Sequence, residues 1–184
     1  MKKIRNTMII SLIMVFFAAC GDDFTVISPK EYDGKFPDES AINIDIVFSD
    51  SGRVNFHIQA PLLNKYENGD ESYFDCPEGV TVVSYDDWGY KQSVLTADYA
   101  ISNDTEQQME AHRNVVVTNL QKKETIETEK IIWDKRNKKI YSDVAVKLIK
   151  EDGSVYYGEG FESDERFKKY TIWRFKADVY RSDI

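Results

Sequence analysis

Cysteine and histidine occur twice each in 184 residues, proline four times and glycine nine times. So little proline and glycine excludes collagen-like and low-complexity chains, and a 42% hydrophobic content is enough for a packed core. His57 and His112 have no histidine or cysteine partner at ligand spacing, so neither a metal site nor a cofactor is expected. Basic blocks are missing as well: 24 Lys and Arg face 32 Asp and Glu, and a net charge of −8 has the wrong sign for holding nucleic acid. There is no Walker loop, GxSxG or dinucleotide fingerprint. Gly158-Glu159-Gly160 lacks the third glycine and a following helix, and reads as strand or bulge glycines. Asp86, Asp87, Asp98, Glu129, Asp134 and Asp164 could pair for glycoside hydrolysis, but their recurring placement predicts solvated turns instead. No catalytic residue is expected.

Long apolar runs are absent except at the start. Lys2, Lys3 and Arg5 precede residues 8–19, which are apolar apart from Ser11. That run falls short of the about 20 residues a membrane-spanning helix needs, and reads as an export signal. Ala18 and Ala19 directly before Cys20 resemble a bacterial lipobox, with Phe17 where leucine is commoner. The resemblance implies cleavage before Cys20 and lipid attachment to it, which removes three basic residues and deepens the net charge from −8 to −11. Cys76 is then the only other thiol, so no disulfide forms within the chain. Lacking a basic neighbour, it is expected to be a small buried residue. The chain divides into a signal peptide (1–19), a lipidated cysteine and tether marked by Pro29, Gly34 and Pro37 (20–40), one domain (41–176) and a tail (177–184).

Within the domain the dominant period is two. Ile42, Ile44, Ile46 and Phe48 alternate with Asn43, Asp45 and Val47, and Val54, Phe56, Ile58 and Ala60 alternate with Asn55, His57 and Gln59. Both read as half-buried strands joined at Asp50-Ser51-Gly52. Asn68-Gly69, Asp87-Trp88-Gly89 and Asp152-Gly153 supply further turns. The pattern predicts an antiparallel, all-β domain, with room for a short helical turn over 62–71.

The second half repeats itself at shifts of 31 and then 30 residues. Leu95, Ala97, Ala100 and Asn103 correspond to Ile126, Thr128, Ile131 and Asp134, and then to Tyr156, Gly158, Phe161 and Asp164. A second strand follows each copy, at Met109, Ile140 and Tyr170. The second and third members of each copy differ in parity, so each unit needs a bulge or bend to keep its apolar residues inside. Hairpins that bend alike stack into a curved, two-walled sheet with apolar faces opposed. This predicts a trough that stays open and ends in unpaired strand edges.

The run 95–100, Met109-Glu110-Ala111, 114–117, Glu127-Thr128-Glu129, Trp133-Asp134, 140–143 and 158–164, together with Ala60-Pro61 and Gly79-Val80, resembles the periplasmic LptC family of lipopolysaccharide export in order and spacing. The resemblance implies an OstA-like β-jellyroll open along one side and not an enzyme. It implies anchoring at the periplasmic face of the inner membrane beside an ATP-driven extractor (LptB, LptF and LptG). Lipopolysaccharide would pass to an LptA-like bridge by edge-to-edge strand joining, with Tyr170 and Ile172 on the outgoing edge. Many relatives keep a membrane-spanning helix where this chain has the lipobox. On this reading Ile58, Val82, Leu95, Ala97, Val115, Val117, Ile131, Val146, Leu148 and Phe161 line an acyl-chain groove, although periodicity fits an ordinary sandwich core equally well. Trp88, Trp133, Trp173 and 11 tyrosines keep a glycan-binding sandwich or a protein-binding adaptor as the alternative.

Overall fold

The computed structural model describes residues 36–68, 71–103 and 107–178. The signal segment, Cys20 and nearly all of the tether lie outside them, as do Gly69 and residues 179–184 of the tail. Fourteen strands and no helix are present among the described residues, and every pairing is antiparallel. The strands are β1 (Glu39–Asp50), β2 (Arg53–Asn68), β3 (Glu71–Cys76), β4 (Val80–Tyr85), β5 (Lys91–Ala97), β6 (Tyr99–Asn103), β7 (Gln108–Asn119) and β8 (Glu124–Asp134). They continue as β9 (Lys139–Ser142), β10 (Val146–Ile149), β11 (Val155–Gly158), β12 (Phe161–Asp164), β13 (Tyr170–Ile172) and β14 (Lys176–Asp178).

Four long strands, β1, β2, β7 and β8, belong to two walls at once. Their pairings give the first wall the order β1-β2-β4-β5-β7-β8-β10-β11-β14. The second wall runs β1-β2-β3-β6-β7-β8-β9-β12-β13. Chain corners line one side. In β1 the corner is Asn43, at φ 52°, opposite Pro61 of β2. Proline's missing N–H and Asn's tolerance of left-handed φ suit a break in the ladder. In β7 it is Arg113-Asn114, at φ 61° and 49°, where the register with β8 slips. There Asp98 N–H donates to Arg113 O (3.0 Å) and Asn114 Nδ2 to the Asp98 carboxylate (2.6 Å). The expected parity change thus falls where the chain passes from one wall to the other: Ala97 to Ala100 is the β5–β6 corner, and Gly158 to Phe161 the β11–β12 corner. In the middle copy Thr128 pairs with Val115 in the first wall and Ile131 with Ala111 in the second, so β8 turns the corner without ending.

One apolar cluster fills the space between the walls, with members from β2 through β12. Two expectations need correction. Residues 62–68 form no helical turn: they continue β2, held by β1 on one side and β3 on the other. Ladder pairing overrides a weak local preference there. And β1 is not half-buried. Only Ile44 is partly covered, because β1 pairs with β2 alone and nothing among the described residues lies beyond it.

The glycines at the β11–β12 corner are required by close approach. A Cβ on Gly158 would collide with Ile172 Cγ2, and one on Gly160, at φ 138°, would lie 2.8 Å from both Ser142 O and the Trp173 ring. Trp173 N–H donates to Gly160 O and Glu159 N–H to Trp173 O, which seals the corner (3.0 Å each). Gly160→Ala is therefore expected to cost about 2–3 kcal/mol, read from the shift in urea midpoint at unchanged m.

Candidate functional site

The fold brings all ten groove candidates into or against the one cluster. From the first wall come Ile58 (β2), Val82 (β4), Leu95 and Ala97 (β5), Val115 and Val117 (β7), and Val146 and Leu148 (β10). Ile131 (β8) and Phe161 (β12) come from the second. Leu95 stands opposite Val82 on one side and Val117 on the other, so the three share a face. Eight of the ten are buried, while Val82 and Leu95 are partly so.

These positions are packed. Phe161 and Val115 are 0% exposed and Val117 is 1%, and Phe56 of the first wall meets Trp133 of the second with ring centroids 5.2 Å apart. The expected standing opening is not found along this stretch, because side chains from both walls meet and exclude solvent. Period-two reasoning identifies the inner face but does not fix how far apart two inner faces sit.

At the N-terminal end the inner face does reach solvent. Ile46 lies opposite the core residue Ile58, and Phe48 opposite Phe56, so both point inward, yet they are 36% and 50% exposed. Ile42, 56% exposed, faces outward with its partner Leu62, since the adjacent Leu63 is the one that packs on the core. At the other end β13 pairs only with β12 and β14 only with β11, which leaves a backbone edge on each wall among the described residues. Of the two outgoing candidates, Ile172 packs partly buried over Gly158. Tyr170 donates its hydroxyl to Glu124 across the walls (2.8 Å). Burial first, and then that carboxylate, push the Tyr170 phenol pKa well above its usual range, so it stays a donor at any physiological pH.

Ionisable groups here fasten turns. Asp86 accepts from the Trp88 and Tyr90 N–H groups, 2.9 Å each. Asp134 accepts from Asn137, and Asp164 from Arg166, Lys168 and Lys169. Outside, His57 meets Asp45 at 2.5 Å, and with Gln59 holds that carboxyl below its ordinary pKa. Arg166 does the same for Asp87 at 2.6 Å. No cluster of three or more potential metal ligands occurs among the described residues. Cys76 lies in the core with its thiol pushed up to about 11, by burial and then by Asp75, so its nucleophilic form is scarce at neutral pH. Of the tryptophans, Trp133 is packed inside and Trp173 covers the β11–β12 corner. Only Trp88, with Tyr90 beside it, stands largely free, on the β4–β5 turn. The tryptophans thus form no continuous row.

One buried member of the core cluster escaped the sequence reading. Phe167, in the β12–β13 turn, joins the core at 4% exposed. A lone apolar residue inside Glu165-Arg166-Phe167-Lys168-Lys169 was the available signal.

The family model described as lipopolysaccharide-assembly, LptC-related, matches residues 7–174. No curated protein matches. Among solved structures, the chain is similar to the crystal structure of LptH, the LptA-homologous periplasmic component of the lipopolysaccharide transport device from Pseudomonas aeruginosa. The identity is 11% and the TM-score 0.47, covering 68% of this chain and 95% of that one.

Proposed function

The chain belongs to the LptC-related family of lipopolysaccharide-assembly proteins, and from that premise we propose that it binds lipopolysaccharide by its acyl chains between the two walls. It takes the lipid from the inner-membrane extractor, formed by LptB, LptF and LptG, and passes it to an LptA-like periplasmic bridge. Cys20 carries the lipid anchor that holds the domain at the periplasmic face of the inner membrane. The observation that carries this reading is one apolar strip running from the exposed Ile46 and Phe48, through the core, to Ile172, with a strand edge at each end among the described residues. Edges of this kind accept a strand from another sheet, so a further jellyroll would extend both walls and the strip together. Incoming lipid meets the β1 end and outgoing lipid leaves past β13 and β14.

A packed interior is compatible with carriage if the lipid's gain exceeds the cost of parting the walls. Burying one CH2 is worth about 0.8 kcal/mol, so a twelve-carbon chain gains roughly 10 kcal/mol. That is comparable with the whole stability of a domain this size, about 5–15 kcal/mol. The acidic surface repels phosphorylated head groups and leaves the acyl chains as the handle.

Photocrosslinking tests the reading. A photoreactive residue at Val115 or Ile131 should capture lipopolysaccharide in cell envelopes, while one at Trp88 should not. Capture of glycans at Trp88 and nothing at the interior positions would favour the glycan-binding alternative.

A further inference from the structure

We infer that the Phe167 ring occupies an acyl-chain position between the walls, and that the turn at 165–168 is a displaceable strap over it; this rests on the carriage reading above. The turn joins two strands of the second wall, yet its bonds reach the first. Asn119 Nδ2, at the end of β7, donates to Phe167 O (3.0 Å), and Lys122 Nζ, in the β7–β8 turn, donates to Lys168 O (2.7 Å). Arg166 meets Asp87 of the β4–β5 turn at 2.6 Å and reaches Asn55 Oδ1, near the start of β2, at 3.5 Å. Beneath these the Phe167 ring lies against Phe161, centroids 6.3 Å apart, inside the cluster that holds Val115, Val117 and Leu148.

The preceding unit shows that hairpin geometry alone does not require this. The turn at 135–138 stands one repeat earlier, between Asp134 and Lys139, as the strap stands between Asp164 and Lys169. Position 137, equivalent to Phe167, is an exposed Asn whose contacts go to Asp134 of its own turn. Lys135 reaches Ser102, in the same wall. The last unit thus places a bulky aromatic at φ 54°, a conformation such residues seldom adopt, where the repeat has a solvated polar residue and puts its own left-handed residue one position later, at Lys138 (φ 53°).

The strap is built to move as one piece. Asp164 accepts from the N–H groups of Arg166, Lys168 and Lys169, and its carbonyl from Phe167 N–H (3.0 Å), so the turn keeps its shape when lifted. Arg166 with Asp87 and Lys122 with Lys168 O are solvent-side contacts, individually weak and screened by salt. A chain seeking the Phe167 position binds only the lifted fraction, and its apparent affinity falls by that fraction.

Binding of dodecanoic acid to the full folded domain, followed by calorimetry, tests this in two variants. Phe167→Ala removes the occupant, and Arg166→Glu sets like charge against Asp87 without touching the core. Both should bind dodecanoate tighter than the unaltered protein, Phe167→Ala by about tenfold. If Phe167→Ala does not fold, Arg166→Glu decides. Unchanged dodecanoate affinity in Arg166→Glu, with native circular dichroism, makes Phe167 a fixed cap of the terminal hairpin and overturns the inference. That result leaves carriage standing wherever Val115 still captures lipopolysaccharide. Absence of that capture in the unaltered protein strikes the carriage reading instead.

Discussion

Val117→Glu is expected to leave the chain unfolded at neutral pH. Val117 is 1% exposed and sits mid-sheet, with Leu95 of β5 on one side and Ile126 of β8 on the other. No lysine or arginine is buried among the described residues. A carboxylate there must shed its water without a partner or take up a proton, and either costs more than about 4–5 kcal/mol. That is a large part of the about 5–15 kcal/mol that holds such a domain. Circular dichroism should show loss of the β signal, partly restored at acid pH, where the introduced group is neutral. A folded Val117→Glu protein would mean that solvent already stands between the walls.

Phe48→Glu is expected to do the opposite: keep the fold and lose the lipid. Phe48 points to the same inner face as Phe56 but is half-exposed on an edge strand, so a carboxylate there remains hydrated. The stability change should stay within about 1 kcal/mol, since the site lacks the burial that makes core substitutions costly. On the carriage reading an acyl chain must pass this residue, and a charge in its path forfeits apolar contact worth about 0.8 kcal/mol for each CH2 kept wet. Lipopolysaccharide capture at Val115 should then fall at least about tenfold, which is 1.4 kcal/mol. Equal capture with Phe48 or Glu at this position would show that lipid does not load over β1. The two substitutions place the same chemical group on one inner face and separate path from core by exposure alone.

Much of this architecture could be read in the chain. Alternation at Ile42 to Phe48 and Val54 to Ala60 located β1 and β2, and Ser51-Gly52 located their turn, at φ 51° and 77°. The parity change between Ala97 and Ala100, Thr128 and Ile131, and Gly158 and Phe161 marked three corners, because a strand entering the opposite wall must redirect its apolar face. The separation of the walls could not be read, since alternation gives direction and not distance. Exposure of β1 was also hidden, because its sequence is as apolar as a central strand's and only the lack of a neighbour among the described residues uncovers it. The strap depends on contacts spanning up to 111 positions, as between Asn55 and Arg166, which no local pattern carries. The helical turn expected over 62–71 did not form, because Pro61, opposite the left-handed Asn43, is a bend within a continuous strand that runs on through Asn68.

On the carriage reading the same residues serve as core in the closed protein and as lining in the loaded one. Methyl-resolved NMR of the protein with bound lipopolysaccharide tests it most directly. Intermolecular NOEs are expected from acyl methylenes to the methyls of Val115, Ile131 and Leu148. NOEs confined to surface methyls such as those of Val47, with the interior methyls unperturbed, would contradict it.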